Sequence, residues 1–79
     1  MVRLKNIVTN GIFLECDIFP EDSKEPGLLK VDRENGNMVS YKLPKGYEYC
    51  LNHVYHARRA LFDLYKKNDV TEEKTIMWN

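Results

Sequence analysis

The hydrophobic period of this chain changes sharply at Pro44-Lys45-Gly46. Before that point apolar residues largely alternate with polar ones, the period of a strand with one face on a core. After it they recur every three to four residues, the period of an amphipathic helix. Strands followed by a helix predict an α+β fold. The expected architecture is an antiparallel sheet of four to five strands, in the order ββββαβ, with one amphipathic helix packed across one face. The 79 residues make one domain, 1–79, because a lone hairpin or helix is not stable without the other layer. A chain this short hides little more than ~60% of the surface its unfolded form exposes, so each buried side chain matters.

Two Asn-Gly pairs punctuate the strand half, and each reads as a hairpin turn. Asn10-Gly11 lies between VRLKNIV and IFLECDIF. A two-residue loop would mix charged and apolar residues on both faces. A three-residue loop, Thr9-Asn10-Gly11, pairs Val8 with Ile12, Leu4 with Cys16 and Val2 with Ile18. One face then carries Val2, Leu4, Val8, Ile12, Leu14, Cys16 and Ile18, with Asn6 as its polar member. The other sets Lys5 against Glu15, Arg3 against Asp17 and Ile7 against Phe13, which favours this register. The second turn, Glu34-Asn35-Gly36, sets Val31 against Val39 and Leu29 against Tyr41. It predicts strands near 28–32 and 38–43, with Lys30, Ser40 and Lys42 on the opposite face. Between the hairpins PEDSKEPG, residues 20–27, reads as a solvated surface loop.

The helical spacing runs from about Tyr47 to Asn68. With Cys50 at 0° and ~100° per residue, Tyr47, Cys50, Val54, Ala57, Leu61, Leu64 and Tyr65 form the central apolar stripe. Leu51, Tyr55 and Phe62 widen it to about +140°. The last ten residues, VTEEKTIMWN, predict a final strand over 74–78 with Ile76 and Trp78 inward, the alternative being a tail that packs only through Trp78.

Twelve basic residues balance twelve acidic ones. A zero balance argues against duplex nucleic acid as a partner, and it offers little repulsion between copies. No apolar run reaches the ~18 residues of a membrane span. The alternating N-terminus is strand-like rather than a secretory leader. Cys16 and Cys50 both fall on apolar faces, as buried reduced thiols of a cytoplasmic protein would.

Cys50, His53 and His56 are the nearest approach to a reactive or metal-ligating set. They point in directions about 60° apart around the helix, and Cys50 sits mid-stripe. If the chain were an enzyme, these three would be its catalytic residues. Their divergence and the missing fourth ligand instead point to no metal, no cofactor and no catalysis. Arg58 is more informative. It lies inside the apolar arc among Leu51, Tyr55 and Phe62, where an unpaired guanidinium is costly. An aromatic-arginine group of this kind matches the composition of protein interfaces. The expected function is therefore a non-enzymatic interaction or accessory module. Its binding residues would be Leu51, Tyr55, Arg58 and Phe62, and its partner another protein or a second copy in a homodimer. The alternative is single-stranded nucleic acid on the outer sheet face, through Arg3, Lys5, Lys30 and Lys42 with Phe13 and Met38. Glu15 and Asp17, opposite the first two cations, weaken it.

Overall fold

A computed structural model describes residues 1–67 and 73–77. Five strands and one helix follow in the expected order: β1 Val2–Asn10, β2 Phe13–Pro20, β3 Gly27–Asp32, β4 Met38–Lys42, α1 Leu51–Lys66 and β5 Glu73–Ile76. The strands form one antiparallel sheet in the order β4-β3-β2-β1-β5. The last strand therefore closes beside the first, with Ile76 opposite Val2. Ile76 packs against the core as expected; Trp78 and the expected helix end at Asn68 lie outside the described residues. The helix packs against β1, β2, β3 and β5. One sheet face is lidded, and the other meets solvent, as antiparallel sheets permit.

The core is the meeting of two stripes. Val54, Ala57, Leu61 and Leu64 of the helix are buried against Val2, Leu4, Leu14, Cys16, Ile18, Leu29 and Val31 of the sheet. A 16-residue helix is marginal in water on its own. Each fully buried Leu or Val contributes roughly 1.5–3 kcal/mol of transfer free energy, so tertiary packing holds the helix. The helix begins at Leu51, not Tyr47. Tyr47 N–H donates to the Pro44 carbonyl and Cys50 N–H to that of Tyr47, a pair of turns ahead of the helix. Gly46 has φ +89°, and Cys50 caps the helix without a side-chain hydrogen bond. No Ser, Thr, Asp or Asn stands there to start the helix earlier.

The first hairpin departs from the expected register. Asn10 pairs with Phe13, so the turn is Gly11-Ile12, and Leu4 stands opposite Ile18 rather than Cys16. The ladder shifts between Lys5 and Val8. Asn6 takes φ +55° at that shift. The irregularity reverses side-chain parity along β1: Val2, Leu4 and Ile7 are buried, while Val8 and Ile12 are 52% and 53% exposed. Asn6 turns outward and donates to Asp17 Oδ2 at 2.8 Å. A bulge was the way to keep a polar residue out of the core without breaking the strand. Lys5 consequently faces Asp17, and Arg3 faces Phe19. The second hairpin keeps Leu29 opposite Tyr41, but an irregularity between Lys30 and Val31 sets Val31 against Met38 and leaves Val39 as the extra residue.

The 20–27 segment is more anchored than a solvated loop. Pro20, Ser23 and Gly27 are buried. Ser23 Oγ donates to the Glu25 carbonyl at 2.7 Å, and Arg3 Nη2 donates to the Ser23 carbonyl at 2.6 Å.

The Asn6 bulge gives a direct test. A left-handed backbone costs a β-branched residue about 1–2 kcal/mol, and Asn or Gly much less. Asn6→Val should lower the urea midpoint accordingly, and Asn6→Gly should move it less. Equal midpoints for Asn6→Val and wild type would contradict the bulge.

Candidate functional site

Three places on the molecule gather chemically capable side chains. The first joins the start of α1 to the end of β2. Glu21 has φ +50° and donates its N–H to the Met1 carbonyl. Its Oε1 lies 2.7 Å from His53 Nε2 and 3.1 Å from the Met1 amino nitrogen. The hydrogen bond to His53, then that to the Met1 amino group, holds the Glu21 carboxyl below its ordinary value. Beside it Tyr47 donates its hydroxyl to Asp22 Oδ1 at 2.6 Å, and that bond first of all pushes the Tyr47 phenol up to about 12. Tyr47 and Tyr49 stack with centroids 6.2 Å apart.

Cys50 stands next to this group but is only 1% exposed. Burial pushes its thiol up, opposed by a hydrogen bond from Tyr49. Cys16, buried in the sheet, is pushed up to about 12 by burial and then by Asp17. Neither thiol has the lowered pKa and access of a nucleophile. His53 is thus engaged with Glu21 across the domain, Cys50 is shut in the core, and His56 is half-buried one helical turn on. Among the described residues no group of three or more His, Cys, Asp and Glu side chains could hold a metal ion.

The second place is the open sheet face. A groove of about 410 Å³ crosses it, lined among others by Val8, Glu15, Asp17, Leu28, Lys30 and Lys42. Its charges alternate in sign. Arg3 and Lys5 lie over Phe19, at 5.2 and 5.5 Å from the ring centroid, and Lys30 lies 4.9 Å from the centroid of Phe13. The rings that a stacked base would need already carry the protein's own cations. Glu15 and Asp17 accept from Asn10 and Asn6. Met38, grouped with this face from the sequence, instead packs against the core.

The third place is the helix flank that the sequence singled out, and the structure divides its four residues. Arg58 Nη1 donates to the Gly36 carbonyl at 2.8 Å. Phe62 lies flat against Gly36, whose φ is +77°; a Cβ there would stand 2.7 Å from Phe62 Cδ2. Lys66 Nζ also lies over the ring, 5.4 Å from its centroid. These residues clamp the 32–37 turn, which Asp32 organises by accepting the Glu34 and Asn35 N–H groups. Leu51 and Tyr55 share the flank but remain 38% and 49% exposed. Because Arg58 and Phe62 meet the β3–β4 turn, this flank looks toward β4. There Tyr41 is 46% exposed although its partner Leu29 is buried, and Val39 is 47% exposed. Among the described residues β4 pairs on one side only.

Comparison with family models, curated proteins and solved structures finds no match. The chemistry of the three places must therefore be weighed on its own terms. The edge residues Val39 and Tyr41 were not apparent from the sequence. Periodicity assigns a residue to a face, but whether a lid reaches that face is a tertiary fact.

Two outcomes follow. Gly36→Ala adds both a strained φ and a clash with Phe62, and should cost about 1–3 kcal/mol in urea unfolding; an unchanged midpoint would contradict the clamp. The Glu21 carboxyl is lowered on folding, so its contribution is complete above its ordinary value of 4.5 and fades as pH falls below it. Wild-type stability should therefore fall more steeply than that of Glu21→Gln between about pH 5 and pH 3. Parallel acid limbs would show that these contacts do not form in solution.

Proposed function

We propose that this protein is a non-enzymatic interaction module that takes an extended partner strand at the free edge of β4. The observation that carries this reading is the one-sided pairing of β4 among the described residues, with Val39 and Tyr41 exposed along it. Tyr41 offers aromatic surface there, beside a row of backbone groups that have no neighbouring strand among the described residues. Leu51 and Tyr55 add exposed surface on the helix flank whose Arg58 and Phe62 hold the preceding turn. An exposed edge is a template for strand addition. In that mode the main chain supplies affinity, and alternate side chains of the partner supply specificity. Arg58 and Phe62 act indirectly, by fixing the turn that precedes β4. This refines the four-residue patch expected from the sequence: two of its members build the site, and two face the partner.

Catalysis fits less well, because the thiols are buried with raised pKa values and His53 is tied to Glu21. Single-stranded nucleic acid on the opposite face also fits less well, because its aromatic rings are capped by cations and its groove contains two carboxylates.

Peptides selected from a random displayed library test the proposal. Those that bind should shift the backbone resonances of residues 38–42, 51 and 55, and Tyr55→Ser should weaken them by ~10-fold or more. Shifts confined to the outer face, at Lys5, Asp17 and Lys30, would overturn it.

A further inference from the structure

We infer that the corner of the open sheet face built around Arg3 binds a single phosphate dianion, free or as the monoester of a small molecule. Directly paired residues of antiparallel strands point to the same face, so Phe19, Arg3 and Thr75 make one row across β2, β1 and β5. The 20–27 segment stands beside this row, because the Ser23 carbonyl accepts from Arg3 Nη2 at 2.6 Å. Residues of both line a depression of about 480 Å³, among them Arg3, Lys5, Phe19 and Lys24. A second depression, of about 210 Å³, shares Arg3 and Lys5 and adds Thr75.

The cations here lack counter-charges. Arg3 and Lys5 are held over the Phe19 ring rather than against a carboxylate. Among the described side chains neither they nor Lys24 forms an ion pair. Arg3 is half-buried, and its Nε is buried without an acceptor. Its Nη1 is not buried and makes no hydrogen bond among the described residues, which leaves that end of the fork for a ligand. A partly desolvated cation without a counter-charge gains more from an incoming anion than a solvated one does. Arg3 Nη1, the Lys5 and Lys24 ammonium groups and the Thr75 hydroxyl are donors of the kind a tetrahedral oxyanion takes. Acidic residues bound the row and set what it accepts. Asp17 and Glu73 hold the register positions opposite Lys5, roughly 7 Å further along the strands. Asp17 accepts from Asn6, and Lys5 leans back over Phe19. Glu21 and Asp22 also line the larger depression, but Glu21 is engaged with His53 and the Met1 amino group, and Asp22 with Tyr47. A polynucleotide or an acidic peptide would set its next anions against this acidic margin. A single phosphate meets only the cationic row.

Amide resonances followed during titration with inorganic phosphate, and separately with phenyl phosphate, test the inference; chloride at equal ionic strength is the control. The expected result is saturable shifts at Arg3, Phe19, Ser23, Lys24 and Thr75, with a Kd on the order of 1–10 mM and no saturable shift with chloride. Tighter binding of phenyl phosphate assigns the site to monoesters, and equal or weaker binding assigns it to the free ion. Arg3→Gln should abolish the saturable shifts. If Arg3→Gln loses the fold, the Lys5→Gln/Lys24→Gln double variant decides, and should weaken phosphate by ~10-fold or more. Shifts that stay linear up to about 100 mM phosphate, or saturable shifts that survive these substitutions, overturn the inference.

Discussion

Everything in this molecule hangs on one contact: the stripe of Val54, Ala57, Leu61 and Leu64 lying on the inner face of β1, β2 and β3. Neither layer is stable alone. The helix lacks a side-chain N-cap, and the hairpins have no other apolar cover on that face among the described residues. With so small a core, a large-to-small change such as Leu61→Ala would remove ~2–5 kcal/mol from a total that rarely exceeds 5–15 kcal/mol. The lid also sets what remains outside it. A single helix is narrower than a five-stranded sheet, so some edge must stay uncovered, and here it is β4.

The layer order and the element order were legible in the amino-acid sequence because they depend on period alone. Alternation before Pro44, broken by the two Asn-Gly turns, and three-to-four spacing after Gly46 suffice for ββββα; the final strand rested on the short segment after the helix. The register of β1 on β2 was not legible, for a physical reason. Parity arguments assume that every residue advances the strand equally. Asn6 breaks the assumption by turning left-handed, which a short polar side chain tolerates, and the residues after it exchange faces. Ile7 goes in and Val8 goes out. The signal was present as the one polar residue on an otherwise apolar face. It can be met either by burying Asn6 with a partner or by a bulge, and local pattern does not choose between them.

The helix flank shows the same division. That Arg58 could not sit unpaired in an apolar arc was legible from the helical angles. That its partner is the carbonyl of Gly36, 22 residues away, was not, because it depends on how the β3–β4 turn is presented to the helix. The same contact explains why Gly36 is glycine: the position needs both its positive φ and room for the Phe62 ring. Arg58 and Phe62 thus hold the turn that aims β4, while Leu51 and Tyr55, about two turns and one turn nearer the helix start than Arg58, run past the clamp and stay open. Structural and partner-facing roles are interleaved on one flank, and composition alone cannot separate them.

The central claim is that the lid and β1–β3 are one cooperative unit from which β4 stands apart. Native-state amide hydrogen exchange on dilute protein tests it most directly. The account predicts that amides of the helix interior and of β1–β3 exchange with a common free energy, equal to that of global unfolding, while those of β4 exchange through smaller local openings. A helix that opens independently of the sheet, or a β4 as protected as β2 in the dilute protein, would contradict it.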